Sequence, residues 1–442
     1  MSTRVSRDQV SQARRARRRR HSRLGGQRAC SAQRAAIGGP VARLPAPLTS
    51  RARAAYLRPC RVIENQGNAM KTQSPPFKAD HVGSLLRRKR LLAARAAKQA
   101  GTLAGDELAR IESEEVQHAV DLQKSVGLKC CTDGDFRRRH WFMDFIERID
   151  GIRFGAPMPV RFKSSDGSVE FSPPQMELHG RLRRSQSLTG ADFASLKPVA
   201  DAAGLMPKQT IPSPTLLHFR STRSRMHSKI YPDVDQLYED IAQVYREEIA
   251  ALYAGGCRYL QIDETNLPGH LSDPVLRERA KQEGEDPDAL VDRYARLIND
   301  SIRDVPADMT VCMHMCRGNH AGGWFAEGGY DPVAQVSFSR IEVDGFFLEY
   351  DTPRAGSFAP LRHLADGKIA VLGLVTTKSP KLESKDDLKR RIEEASQYVP
   401  LERLALSPQC GFASTIEGNP LTEEDEKRKL ALIVETAAEV WG

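Results

Sequence analysis

From about residue 70 onward, short apolar runs alternate with longer amphipathic stretches. A short run that is apolar on both side-chain faces reads as a buried strand of a parallel sheet. The pattern predicts eight such strands, at 78–85, 128–135, 206–214, 257–265, 309–316, 346–351, 369–377 and 404–411. Between them a 3.6-residue period predicts helices over 233–254, 274–303, 385–398 and 422–441. Asp233 followed by Gln236 has the spacing of a capping box. Strands and helices alternating eight times predict an α/β architecture, a (β/α)8 TIM barrel, with long insertions after the first two strands. Residues 150–205 carry little period and read as an excursion across the barrel mouth. An open doubly wound sheet is the competing architecture, but neither a G-x-G-x-x-G after the first strand nor a P-loop accompanies it.

Residues 1–69 lack this pattern. They hold sixteen arginines against two acids, whereas the remainder holds fifty bases and fifty-five acids. The net charge of +9 over 442 residues therefore belongs to the tail. With one aromatic and no apolar period, this Arg-rich extension is expected to be disordered. It reads as a nucleic-acid arm, as a transit segment, or as sequence upstream of a true start at Met70, where the composition changes; we favour the last. The expected organisation is thus an extension over 1–69 and one catalytic barrel over 70–442. The acidic balance of the barrel argues against nucleic acid as a partner. No stretch approaches the ~20 apolar residues of a membrane span, so a cytoplasmic enzyme is expected. Eight scattered cysteines suit a metal site or a reactive thiol better than a disulfide framework.

Polar residues gather at the C-terminal ends of the predicted strands, which form the active face of such a barrel. In the fifth, Cys312, His314 and Cys316 fall on one face by alternation, and Met313 and Met315 on the other. Facing inward, His314 and Cys316 sit at the mouth and Cys312 lies deeper as a core filler. Glu349 and Cys410 end the sixth and eighth strands on the same rim. Two thiolates, an imidazole and a carboxylate suit Zn²⁺, which accepts all three ligand types.

His314-Met315-Cys316, Glu349 and Cys410 in Ser407-Pro408-Gln409-Cys410-Gly411 resemble the zinc-binding set of the cobalamin-independent methionine synthase family, in its short single-barrel branch. The similarity runs in order over 77–441. Leu260-Gln261-Ile262-Asp263-Glu264 resembles that family's substrate-binding strand, and Val82-Gly83-Ser84 and Gly134-Asp135-Phe136 resemble two further homocysteine-holding segments. The resemblance implies transfer of a methyl group from methylfolate or another methyl carrier to homocysteine held as thiolate on zinc. It implies that Glu349 leaves the metal as the thiol arrives. Asp263 and Asp135 then pair with the substrate ammonium, with Glu264 beside them, and Ser84 holds the carboxylate. Two departures stand out: Asp135 replaces a Glu of the long enzymes, and Lys378-Ser379-Pro380 replaces a proton-donating His in a His-Ser-Pro context. Lys378 is either the acid that protonates a leaving nitrogen or a solvated lysine.

Arg137-Arg138-Arg139-His140 reads as a patch for an anionic donor or as a solvated loop, and His81 as a substrate-orienting or a structural histidine. His218 and Phe219 offer a stacking surface. Within zinc–thiol chemistry the alternative is an epoxide-opening or other alkyltransferase. Outside it stand a metal-free decarboxylase-like barrel and an Arg-tail nucleic-acid-binding protein.

Overall fold

The computed structural model describes residues 74–221 and 227–442; the expected disordered extension lies outside them. The described strands are β1 (Cys130–Cys131), β2 (Asp150–Pro157), β3 (Val160–Ser164), β4 (Gly167–Phe171), β5 (Pro174–Arg183), β6 (Met206–Pro212), β7 (Tyr259–Glu264), β8 (Thr310–Met315), β9 (Gly345–Glu349), β10 (Ile369–Val375) and β11 (Leu404–Pro408).

Seven of them form one parallel sheet in the order β1-β6-β7-β8-β9-β10-β11. Its strands are buried on both faces, as in β9 (Gly-Phe-Phe-Leu-Glu), which is why they read as unbroken apolar runs. The eighth barrel position belongs to residues 78–80. Ala79 bridges Leu406 in parallel, with Asp80 N–H donating to Leu406 O (3.1 Å) and Leu406 N–H to Lys78 O (2.9 Å). The fold is a curled α/β barrel of the TIM type, as expected. The predicted first strand, 78–85, shrinks to that bridge, because Asp80 carboxylate oxygens take the N–H of Phe77 and of His81 and Gly83 turns at φ +139°. The predicted second strand likewise pairs only at Cys130–Cys131 before turning through Gly134 (φ +68°) and Asp135 (φ +59°).

Phe77, Val82, Cys130, Tyr259, Cys312, Phe347, Val371 and Ala405 cluster together, one residue or so from each barrel strand except β6, which supplies Met206 at the margin. The opposite faces, Met313 and Met315 among them, pack in a larger cluster with the surrounding helices. Helices Val234–Ala254 and Glu423–Trp441 match their predicted spans. The predicted helix over 274–303 is two, Pro274–Gln282 and Pro287–Ile302, because Gly284 takes φ +87° and Asp286 with Pro287 starts a new helix. Asp233 caps its helix through Asp235 N–H rather than through a box with Gln236; the reciprocal box is built by Thr422 and Asp425.

The excursion after β1 is two antiparallel ribbons, β2–β5 and β3–β4, followed by helix Gly190–Ala203. The β3–β4 ribbon is tied to the loop beyond β8. Lys163 and Trp324 exchange backbone bonds of 2.7 and 2.8 Å, and the His320 ring lies 3.2 Å from Glu170 O.

Candidate functional site

A cavity of about 560 Å³ opens between the barrel mouth and these ribbons. Ser84, Asp135, Asp263, His314, Cys316 and Cys410 line its floor, and Trp141, Phe162, Phe171, Phe219 and Phe325 its walls. Alternation along β8 has the predicted result. Cys312 is buried inside the barrel, and His314 and Cys316 face the cavity.

The ligand atoms of His314, Cys316 and Cys410 lie within 4.8 Å of one another. The two sulfurs stand 3.8 Å apart. Two thiolates bonded at about 2.3 Å to one tetrahedral ion are spaced by nearly that distance. Both ring nitrogens of the buried His314 lack a hydrogen bond of good geometry, although the Cys410 sulfur lies beside the ring. Contact with Cys316 lowers the Cys410 thiol well below its ordinary range despite burial, with His314 and Lys378 assisting; that contact and burial raise Cys316. Two thiols in contact beside an unsatisfied imidazole are a donor set that fits a soft or borderline cation.

Gly411 makes this approach possible. A Cβ on it would stand 1.9 Å from Ser84 Oγ. No larger residue lets the Cys410 loop pack against the 82–84 turn.

Glu349 is fully buried beside the trio but outside it. One oxygen accepts Arg317 N–H (2.7 Å) and the other pairs with Arg354 (2.7 Å). Burial pushes this carboxyl up, yet Lys378, Arg317 and Arg354 prevail and bring it to about 2. Lys378, half-buried, donates to Gly318 O (3.4 Å) and Asn319 Oδ1 (3.2 Å) and does not line the cavity.

Asp263 projects from β7 into the cavity. Burial raises its carboxyl to about 7, opposed by His314 and by a 2.7 Å bond from Gln261. Asp135, in the left-handed region where a non-glycine residue is strained, is raised by burial and pulled back by Arg138 (3.2 Å). Ser84 Oγ accepts Ala413 N–H (3.4 Å). Glu264 is placed elsewhere. It is absent from the cavity lining, and its oxygens accept Thr215 Oγ (2.5 Å) and the N–H groups of Asn266 (2.5 Å) and Leu267 (2.9 Å). It anchors the turn after β7.

Arg138 is neither an anion patch nor solvated: 2 % exposed, it binds Thr210 and Asp135. His81 is buried with its pKa lowered to about 4, chiefly by desolvation. Phe219 lines the cavity while His218 stacks on Tyr238 behind it. Sequence reasoning missed Arg354 and Asn319; it named Gln261 within the resembling strand but gave it no role.

The family model described as "Cobalamin-independent synthase, Catalytic domain" matches residues 77–438. A Bacillus subtilis protein, YxjG, described as uncharacterized, is 44 % identical over 376 residues, covering 84 % of this chain and 97 % of its own. The methionine synthase of Saccharolobus solfataricus is 23 % identical over 360 residues, covering 79 % and 95 %. Among solved structures, a putative vitamin-B12-independent methionine synthase from Listeria monocytogenes aligns with TM-score 0.66 and 36 % identity, covering 84 % of this chain and all of that one.

Proposed function

This chain belongs to the family of cobalamin-independent methionine synthase catalytic domains, and we propose that it methylates a small thiol, homocysteine, activated on zinc. The observation that carries the metal is the trio His314, Cys316 and Cys410, with its 3.8 Å sulfur spacing and unsatisfied imidazole. Zinc bound there would hold a substrate sulfur as thiolate, the nucleophilic form, at neutral pH. Glu349 is the proposed fourth and displaceable ligand, since Arg354 and Arg317 N–H give its carboxylate a resting place off the metal.

The residues around the trio bind and orient. No basic side chain of the described residues forms an ion pair with Asp263, which makes it the main partner for a substrate ammonium; Asp135, shared with Arg138, is the second. Because Ser84 Oγ only accepts a bond among the described residues, its hydroxyl proton is available to a substrate carboxylate. The aromatic walls exclude water and fit a flat donor. Lys378 is the proposed acid for a basic leaving group. A lysine ammonium gives up its proton reluctantly at neutral pH, so methylfolate bearing one glutamate, or another methyl carrier, should serve at least as well as the triglutamate form.

The catalytic unit is proposed to span 70–442, with residues 1–69 dispensable and neither membrane nor nucleic acid a partner. The six described cysteines are free, which suits the cytoplasm. Among the described residues no helix is long and apolar enough to cross a membrane.

The test is metal analysis of the purified protein followed by methyl transfer to homocysteine with each donor class. One zinc per chain and a methionine product are expected. A metal-free protein after zinc reconstitution, or a zinc protein that methylates no thiol with any donor, would sink the proposal.

A further inference from the structure

Three strand ends meet at one side chain that neither sequence pattern nor resemblance singled out. Asn319, in the loop beyond β8, is 7 % exposed and lines the cavity. Its Oδ1 accepts from Lys378 Nζ (3.2 Å), beyond β10, and from Asn419 Nδ2 (3.0 Å). Its Nδ2 donates to Gly411 O (2.7 Å) and Ser414 Oγ (3.0 Å), in the loop that follows Cys410. Ser414 Oγ in turn lies 3.8 Å from Cys410 Sγ.

Two donors and two acceptor sites are all a primary amide has. Here all four are used. The amide has one workable orientation, because reversing it would set NH₂ against the Lys378 ammonium and the Asn419 amide, and oxygen against the Gly411 carbonyl. Asn419 is itself held: its Nδ2 also reaches Thr377 O (2.8 Å), and its Oδ1 accepts Gly322 N–H (2.9 Å). Apart from Gly318 O at 3.4 Å, Asn319 Oδ1 is the one acceptor recorded for the Lys378 ammonium among the described residues.

We propose that Asn319 is a positioning residue for the methyl transfer, fixing the Lys378 ammonium in place and joining it to the Cys410 loop. A lysine has four flexible side-chain torsions and loses much rotamer freedom when held in place. A rigid, fully bonded amide supplies the fixed acceptor that such a side chain needs where a histidine ring would be stiff by itself. This rests on the methyl-transfer reading for its role, and on geometry alone for its placement.

Two measurements test it. The first needs no turnover: acetylation of the zinc-loaded protein, read lysine by lysine by mass spectrometry. Asn319→Ala should make Lys378 react faster while Lys385 is unchanged; an unchanged Lys378 rate overturns the proposal even if the enzyme proves to run another reaction. The second is a double-mutant cycle on kcat. Lys378→Ala is expected to lower kcat by about 100-fold, and Asn319→Ala by roughly tenfold. Zinc content and the KM for homocysteine should stay unchanged in both. Adding Asn319→Ala to Lys378→Ala should cost no more than about twofold further, since both act through one group. Multiplying losses, a raised KM or lost zinc would show Asn319 to act on substrate or metal and not through Lys378. Where Asn319→Ala does not fold, Asn319→Ser enters the same two measurements.

Discussion

The inside of this barrel has two levels that carry buried ionisable groups, and they treat their carboxylates in opposite ways. On the floor, Asp80 is bonded by Lys208 Nζ (3.1 Å), Tyr259 OH (2.7 Å), Cys130 Sγ (3.1 Å) and two backbone N–H groups. Lys208 also donates to His81 O (2.5 Å) and lies over the Phe347 ring at 4.2 Å. The groups around Asp80 come from four neighbouring segments, and Asp80 and Lys208 spend their bonding capacity on one another and on the fold. At the rim, neither ring nitrogen of His314 has a hydrogen bond of good geometry, the Cys316 and Cys410 sulfurs stand 3.8 Å apart, and Asp263 faces the cavity without an ion-pair partner among the described residues. Burial costs the same at both levels. Idle ring nitrogens do not separate the levels, since His81 on the floor has two as well; the carboxylates do, because Asp80 is paired within the protein whereas Asp263 faces a cavity.

That contrast is open to direct attack. The largest effect is expected at the rim: Cys410→Ser or Cys316→Ser should abolish tight zinc binding and methyl transfer while the unfolding midpoint of the metal-free protein stays near that of the parent. Cys312→Ala, two residues before His314 on the same face but a level deeper, should keep its zinc. Equal metal loss in Cys312→Ala, measured by elemental analysis, would erase the boundary between the levels.

On the floor the loss should fall on stability. Lys208→Met leaves the Asp80 carboxylate unpaired in the interior, at a cost of about 3–5 kcal/mol. Urea unfolding measures it, and the fraction that folds should still take up one zinc. A Lys208→Met protein of parental stability would show that the floor network holds nothing together.

Asp263→Asn comes next. It should weaken homocysteine binding by about 2–5 kcal/mol while retaining zinc, because an interacting charge is removed from a buried site. Calorimetry with homocysteine and with a thiol lacking the ammonium separates the cases. A variant that still prefers homocysteine would remove Asp263 from the substrate site.

The smallest effect, counted per pH unit, is a pH dependence. His81, beside Asp80, Lys208 and Cys130, is held neutral with a pKa near 4, below its ordinary 6.5. Between those values the unfolded chain binds the extra proton, so stability falls as pH drops from about 6.5 toward 4, by at most about 1.4 kcal/mol per unit. His81→Asn should flatten that slope in urea midpoints collected across the window. A slope that survives the substitution must come from other groups.

Sequence and structure agree best where a period is enforced by two-sided burial. β7 to β11 were legible because a parallel barrel strand is covered on both faces, and the Cys312, His314, Cys316 face followed from a period of two. They part where a side chain bonds to the backbone of its own segment or to a distant loop. Asp80 capping Phe77 and His81 N–H ended the first strand early, and Asp286 with Pro287 restarted a helix inside one amphipathic run. Arg138 looked like one member of a basic run, yet Thr210 from β6 and Asp135 in its own turn draw it inside. Glu264 and Asp263 are adjacent in the chain, and alternation sends one to the cavity and the other to a loop.

By itself the sequence determined the strand and helix alternation, the barrel class, the face of β8 that turns inward and the residue types able to take zinc. Those properties follow from local periodicity and from the intrinsic chemistry of thiols, imidazole and carboxylates, which travel with the residues. Only the tertiary structure decided that Cys410 stands 3.8 Å from Cys316, that Glu349 rests on Arg354, and that Asn319 joins Lys378 to the Cys410 loop. Each of those depends on which strand ends become neighbours when the sheet curls shut, and on loops whose course is set by hydrogen bonds between residues far apart in the chain, 329 positions for Ser84 and Ala413.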